Sequence, residues 1–182
     1  KGTSTRNLRN NSEDSKNWQN LAKSPKDKSE NVMIVDLVRN DLSKICEEGT
    51  VQVDELFGIY SFPQVHQMIS TISGNVKIGT KWTEIVKASF PMGSMTGAPK
   101  KRVMELISQY EKYGRGLFSG SIGYVSPTGD FDFNVVIRSI FYDDLKKTLC
   151  FLAGGGITFY SNAADEYEES MLKAKAMMKV LE

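Results

Sequence analysis

An α+β fold, with antiparallel sheets covered by helices, is predicted by three features of the chain. Its first half carries apolar residues at helical spacing, its second half turns to short β-rich segments parted by turn sequences, and its final segment returns to helix. With 182 residues, 40% hydrophobic and 25% charged, the chain can bury the core of one ordinary globular domain. Lys and Arg number 23 against 22 Asp and Glu, and the resulting net charge of +1 predicts no nucleic-acid partner and no electrostatic drive to a membrane. Cys46 and Cys150 are the only cysteines; with no leader pattern and no apolar run of about 18 residues, a cytoplasmic location is the expectation. The start at "KGTSTR", without an initiator Met, reads as a piece of a longer protein.

Taken in order, residues 1–23 are polar and rich in Asn and Ser, as a mobile loop or linker would be. "SPKD" then offers Ser24 as N-cap, Pro25 at the first helical position and Asp27 at the capping-box position. Ile34, Leu37, Val38 and Ile45 follow at helical spacing, up to a break at Gly49. "VQVDELF" and "FPQVHQMISTISG" alternate like strands; in the second, His66, Met68, Ser70 and Ile72 share a face. "KWTEIVKASF" predicts a short helix opened by Thr83, and "GAPKKRVMELISQYEKYG" a longer one between Pro99 and Gly114. From Ser119 to Tyr160, three or four strands separated by "SPTGD" and "YDDLKK" predict an antiparallel meander, and a helix runs from about Ala164 to the end. No boundary is expected after residue 24, so residues 1–182 read as part of a single domain.

Several constellations could carry chemistry. On the final helix Glu166, Glu169 and Lys173 stand at i, i+3 and i+7 and so share a face. Such acids suit a helix start and could simply pair with Lys173 and Lys175 in solvent; they could equally be a carboxylate cluster for a metal. Asp27 and Glu30 repeat the i, i+3 spacing in the first turns of an earlier helix. One or two carboxylates from each of two helices would suffice for a hard cation such as Mg²⁺, if the substrate supplied the rest. Thr96 and Gly97 precede a helix, and Gly154, Gly155 and Gly156 end a strand; each could expose backbone N–H groups to an anion or be an ordinary turn. His66, the sole histidine, could be a general acid or base or a packed residue. Arg138 is a cation in the apolar run "NVVIRSI", which requires a wet face or an anionic partner, and a substrate carboxylate would serve. Lys1 opens the chain, so its surroundings say nothing about its reactivity.

In order, "KGT" at 1–3, "SPKDKSENVMIVDLVRNDL" at 24–42, "VHQMISTISG" at 65–74, "FPMGSMTGAPKKRVMELI" at 90–107, "GSIGYVS" at 120–126, "VVIRSI" at 135–140 and "AGGGITFYSNAADEYEESMLKA" at 153–174 resemble the C-terminal part of the chorismate-utilising enzymes. The resemblance covers the first three residues and everything from Ser24 onward. It implies the C-terminal part of a two-layered α/β sandwich whose sheets draw strands from both halves of much longer proteins.

The resemblance also implies roles. Asp27, Glu30, Glu166 and Glu169 match carboxylates that hold Mg²⁺, which binds the ring carboxylate of chorismate. Thr96 and Gly97 match a segment meeting that carboxylate, Tyr124 and Arg138 match residues at the enolpyruvyl carboxylate, and Gly155 and Gly156 match a carboxylate-binding turn. Lys173 matches a lysine lining the pocket, and His66 a histidine close to the departing hydroxyl. The branch turns on Lys1, because "KGT" resembles the tail of a motif in members that aminate chorismate to 4-amino-4-deoxychorismate for para-aminobenzoate and folate. That branch implies a lysine nucleophile at position 1 and ammonia from a glutamine amidotransferase partner. The alternatives are an anthranilate synthase, which has alanine where the lysine stands, and a truncated, non-catalytic chorismate-binding module.

Overall fold

In a computed structural model of the protein, residues 2–63, 65–159 and 161–181 are described, and the chain gathers into two compact units, Lys1–Leu106 and Ile107–Glu182. The sequence predicts no boundary after residue 24. The contacts divide because the β-strands of each part pair with near neighbours in the same part.

The first unit opens with strand β1 (Thr3–Thr5) and helix α1 (Asn11–Lys23), where the sequence predicts a mobile loop. The physical reason lies in how this helix docks. The Asn10 side chain accepts from the Glu13 amide at 3.2 Å, and Glu13 and Asp14 sit in the first turn, where the helix dipole favours acids. Leu21 is the one buried residue described on it, and polar contacts add to that anchor, including Asn17 Nδ2 donating to Thr5 O at 3.1 Å. A helix held this way carries no apolar stripe to betray it.

Helix α2 (Pro25–Ser43) begins as expected, with Ser24 Oγ accepting from the Asp27 amide at 3.2 Å. It stops earlier than Gly49. The last turn tightens, with Ile45 N donating to Leu42 O at 3.0 Å, and Cys46 then bridges to Val76. Strands β2 (Gln52–Ser61) and β3 (Val65–Ser73) pair antiparallel, and β1 adds to the other edge of β3, giving the order β1-β3-β2. The register slips between Val53 and Gly58, where Phe57 takes φ +62, so β2 bulges and bends. Helices α1 and α2 cover β3. Met68, on the predicted face with His66 and Ser70, is 1% exposed.

Helix α3 (Trp82–Ser89) starts from Lys81, whose amide donates to Glu84 Oε2 at 2.8 Å; Thr83 lies inside the helix and does not open it. A four-residue helix, α4 (Gly93–Thr96), precedes α5 (Lys100–Tyr110), which spans the division between the units and ends short of Gly114.

In the second unit the expected meander is instead two separate hairpins. Strands β4 (Ser121–Val125) and β5 (Phe131–Val135) form one, and β6 (Phe141–Asp143) and β7 (Thr148–Cys150) the other. The apolar run between them leaves the sheet because Ile137 N donates back to Val135 O at 2.9 Å and Arg138 takes φ +52. Helix α6 (Ala163–Val180) closes the chain, with the Asn162 side chain accepting from the amides of Ala164 and Asp165. Among the described residues, no helix is long and apolar enough to cross a membrane.

Candidate active site

The first unit gathers its chemistry around His66. The ring is 2% exposed, on the covered face of β3, and both nitrogens are engaged: Nδ1 with Ser61 Oγ at 2.8 Å and Nε2 with Asp14 Oδ1 at 3.2 Å. The same Asp14 oxygen accepts from the Asn7 amide at 2.7 Å and Arg6 Nε at 3.0 Å. The Asn7 amide, and after it the Arg6 guanidinium, hold the Asp14 carboxyl below its ordinary value, against an opposing desolvation. Sequence reasoning missed Asp14, Arg6 and Ser61. Asn10 ahead of Glu13 and Asp14 is a helix-start signature that could have drawn attention to the first of them.

Asp27 and Glu30 lie half-buried in the first turns of α2. Gly2 sits against Asp27 so closely that a Cβ there would come within 2.8 Å of the Asp27 carboxyl carbon. Lys1, next to it in sequence, lies outside the described residues. Thr96 is the last residue of α4, its hydroxyl donating to Met92 O at 3.2 Å, and Gly97 follows at φ +121. That hydroxyl is a helix-terminal contact, whereas the Gly97 backbone takes a conformation that suits glycine.

In the second unit, Glu166 is buried on the first turn of α6, and Ser161 Oγ donates to its Oε1 at 2.6 Å. Gly155 lies over the other oxygen: a Cβ built there would stand 3.0 Å from Glu166 Oε2 and 3.9 Å from Lys173 Nζ. Lys173 bonds Glu169 Oε1 at 2.7 Å and donates to Gly154 O at 3.2 Å, so it ties α6 to the glycine segment. The i, i+3, i+7 face therefore exists, and one of its charges pairs along the helix as the solvated reading of those acids expects. The glycines do not end a strand; they lie in irregular chain beyond β7. Gly156 and Tyr124 are exposed, and Arg138 is exposed outside any strand, because its left-handed backbone takes it off the sheet.

The donor set at the start of α6 has the oxygen chemistry that a hard divalent cation takes, with Lys173 already paired to Glu169. It consists of oxygens, one carboxylate is withdrawn from solvent, and the ledge above it has no side chain to fill the space. Among the described residues, no group of three His, Cys, Asp or Glu side chains gathers as a metal cluster.

The comparisons assign to one class of protein a chain with a three-stranded sheet under helices in its first unit and a glycine segment over the buried Glu166 carboxylate in its second. Across 96% of its length the chain superposes on anthranilate synthase component I of Streptococcus pneumoniae with a TM-score of 0.76 and 32% identity, covering 39% of that chain. The family described as chorismate binding enzyme matches residues 1–179, and the chain belongs to it. It is 47% identical over 156 residues, 86% of its length, to the chloroplastic aminodeoxychorismate synthase of Arabidopsis thaliana, covering 17% of that protein. With aminodeoxychorismate synthase component 1 of Escherichia coli the identity is 42% over 170 residues, 93% of this chain and 37% of that one. The chain thus spans well under half the length of these relatives.

Proposed function

We propose that this chain is the C-terminal part of an enzyme that aminates chorismate at carbon 4, giving 4-amino-4-deoxychorismate on the route to para-aminobenzoate. The observation that carries the reading is the buried Glu166 carboxylate beneath Gly155 with Lys173 alongside, a site suited to a carboxylated substrate and a cation together. The relatives named aminodeoxychorismate synthase support the branch, as does Lys1 in "KGT".

Glu166 and Glu169 would hold Mg²⁺ at the start of α6, and Asp27 and Glu30 are the separate candidate ligands on α2. A cation held by these carboxylates would supply charge neutralisation for the ring carboxylate and so favour departure of the ring hydroxyl. Gly155 and Gly156 are the candidates for a carboxylate-binding turn, Thr96 and Gly97 those for the ring carboxylate, and Tyr124 and Arg138 those for the enolpyruvyl carboxylate. The neutral Lys1 amine attacks ring carbon 2, both ring double bonds shift, and the carbon-4 hydroxyl takes a proton from the His66 side and departs as water. Ammonia then adds at carbon 4 and expels the lysine. Two displacements replace one difficult substitution. The ammonia comes from glutamine through a partner subunit, a reading favoured by the name "component 1" of the Escherichia coli relative.

Mass spectrometry of the chain with chorismate and Mg²⁺, without ammonia, tests this reading. An adduct that disappears in Lys1→Ala is the expected result. Absence of the adduct, with anthranilate formed when ammonia is supplied, would overturn it in favour of the anthranilate branch, which the likeness to the Streptococcus pneumoniae structure keeps as the second reading.

A further inference from the structure

The site as described leaves a contradiction. A histidine assigned to the departing hydroxyl is 2% exposed, and both of its ring nitrogens already have partners. We propose that Asp14 is a positioning residue that fixes His66 as the Nε2–H tautomer, and that the Ser61 hydroxyl is the route by which a proton reaches or leaves Nδ1. The proposal rests on the reading of His66 as the acid–base group of the amination.

The tautomer follows from donor and acceptor chemistry. Asp14 Oδ1 already accepts from the Asn7 amide and from Arg6, two contacts that suit a carboxylate ion, and an ionised carboxylate can only accept. The 3.2 Å contact to Nε2 therefore requires a proton on that nitrogen. In the neutral ring the lone pair then sits on Nδ1, where the Ser61 hydroxyl, 2.8 Å away, donates to it. Ser61 lies at the exposed end of β2, whereas the Asp14 side of the ring is covered by α1 and Arg6. Exchange with a bound substrate thus runs through Ser61.

In the acid step, protonated Nδ1 passes its proton to Ser61 Oγ as the Ser61 hydroxyl proton moves to the departing oxygen. The carbon–oxygen electron pair leaves with that oxygen as water, and the ring returns to neutral with Nε2–H still on Asp14. A carboxylate acting through a histidine in this way resembles in logic the orienting acid of a catalytic triad. Here it is supplied by the segment that the sequence presents as a loop.

The chain has one histidine, so long-range 1H–15N correlation spectra report its ring nitrogens without ambiguity. The expected wild-type pattern is a single Nε2–H tautomer. In Asp14→Asn, whose side-chain amide can donate as well as accept, that pattern is lost to a mixture; in Ser61→Ala it persists with the Nδ1 signal displaced. Formation of the Lys1 adduct in Asp14→Asn falls roughly 10²-fold, the low end of what a positioned acid–base group supplies. A wild-type ring protonated on Nδ1 would overturn the proposal even if Asp14→Asn failed to fold. So would an Asp14→Asn protein that keeps the wild-type ring pattern or forms adduct at the wild-type rate. If no variant forms adduct while the ring patterns are as expected, the amination reading fails and the assignment of Asp14 stands.

Discussion

Gly155 and Glu166 show how much one missing side chain decides. A methyl group at 155 would press on the carboxylate oxygen at 3.0 Å, so glycine is what leaves room above Glu166. Gly155→Ala and Glu166→Gln are therefore both expected to weaken Mg²⁺ binding measured by titration calorimetry, by about tenfold or 1.4 kcal/mol. Glu166→Gln removes a charge from the proposed ligand set, whereas Gly155→Ala displaces a charge that remains. Unchanged affinity in both variants would remove α6 from the metal site. Spacing made Glu166 and Glu169 visible in the sequence because a helix converts i, i+3 into one face. Nothing in spacing distinguishes the buried carboxylate from the one paired with Lys173, since burial depends on the glycine segment folded over it.

Among the elements, α1 is the least expected and the most consequential. It supplies Asp14 to His66, and its start depends on one side chain, Asn10, accepting from the Glu13 amide. Asn10→Ala is expected to cost about 1 kcal/mol, which for a chain of this size lowers Tm by roughly 2–4 °C in a thermal melt. No change in Tm would mean that α1 is held by its tertiary contacts alone. By contrast, α2 and β3 were legible. Ser24, Pro25 and Asp27 announce the first, and the alternation of His66, Met68 and Ser70 with half-buried neighbours announces the second. The hairpins were legible as strands but not as separate sheets, because the turn of Arg138 to φ +52 interrupts a run whose composition reads as continuous β.

For the whole molecule, the three-stranded sheet and its two covering helices carry the first unit's core, whereas every residue of β4 in the second is exposed. Two-stranded hairpins are marginal by themselves. Amide exchange is therefore expected to be slowest on β2 and β3 and distinctly faster on β4–β5 and β6–β7, with the reverse order counting against this division of stability. Ile122 and Tyr124 on β4, and Ile157 and Phe159 in the glycine segment, are large apolar side chains in solvent. The chain matches well under half of its relatives' length.

By itself the sequence determined the class of fold, the capped start of α2, the alternating strand that carries His66 and the acidic face of α6, because each of these is written in local spacing and in residues that start an element. Only the tertiary structure decided that the polar opening segment is a helix, that Asp14 and Ser61 bracket His66, and that Gly155 covers Glu166. Those contacts join residues 52 apart along the chain in the case of Asp14 and His66, and no periodicity reports a partnership over that distance.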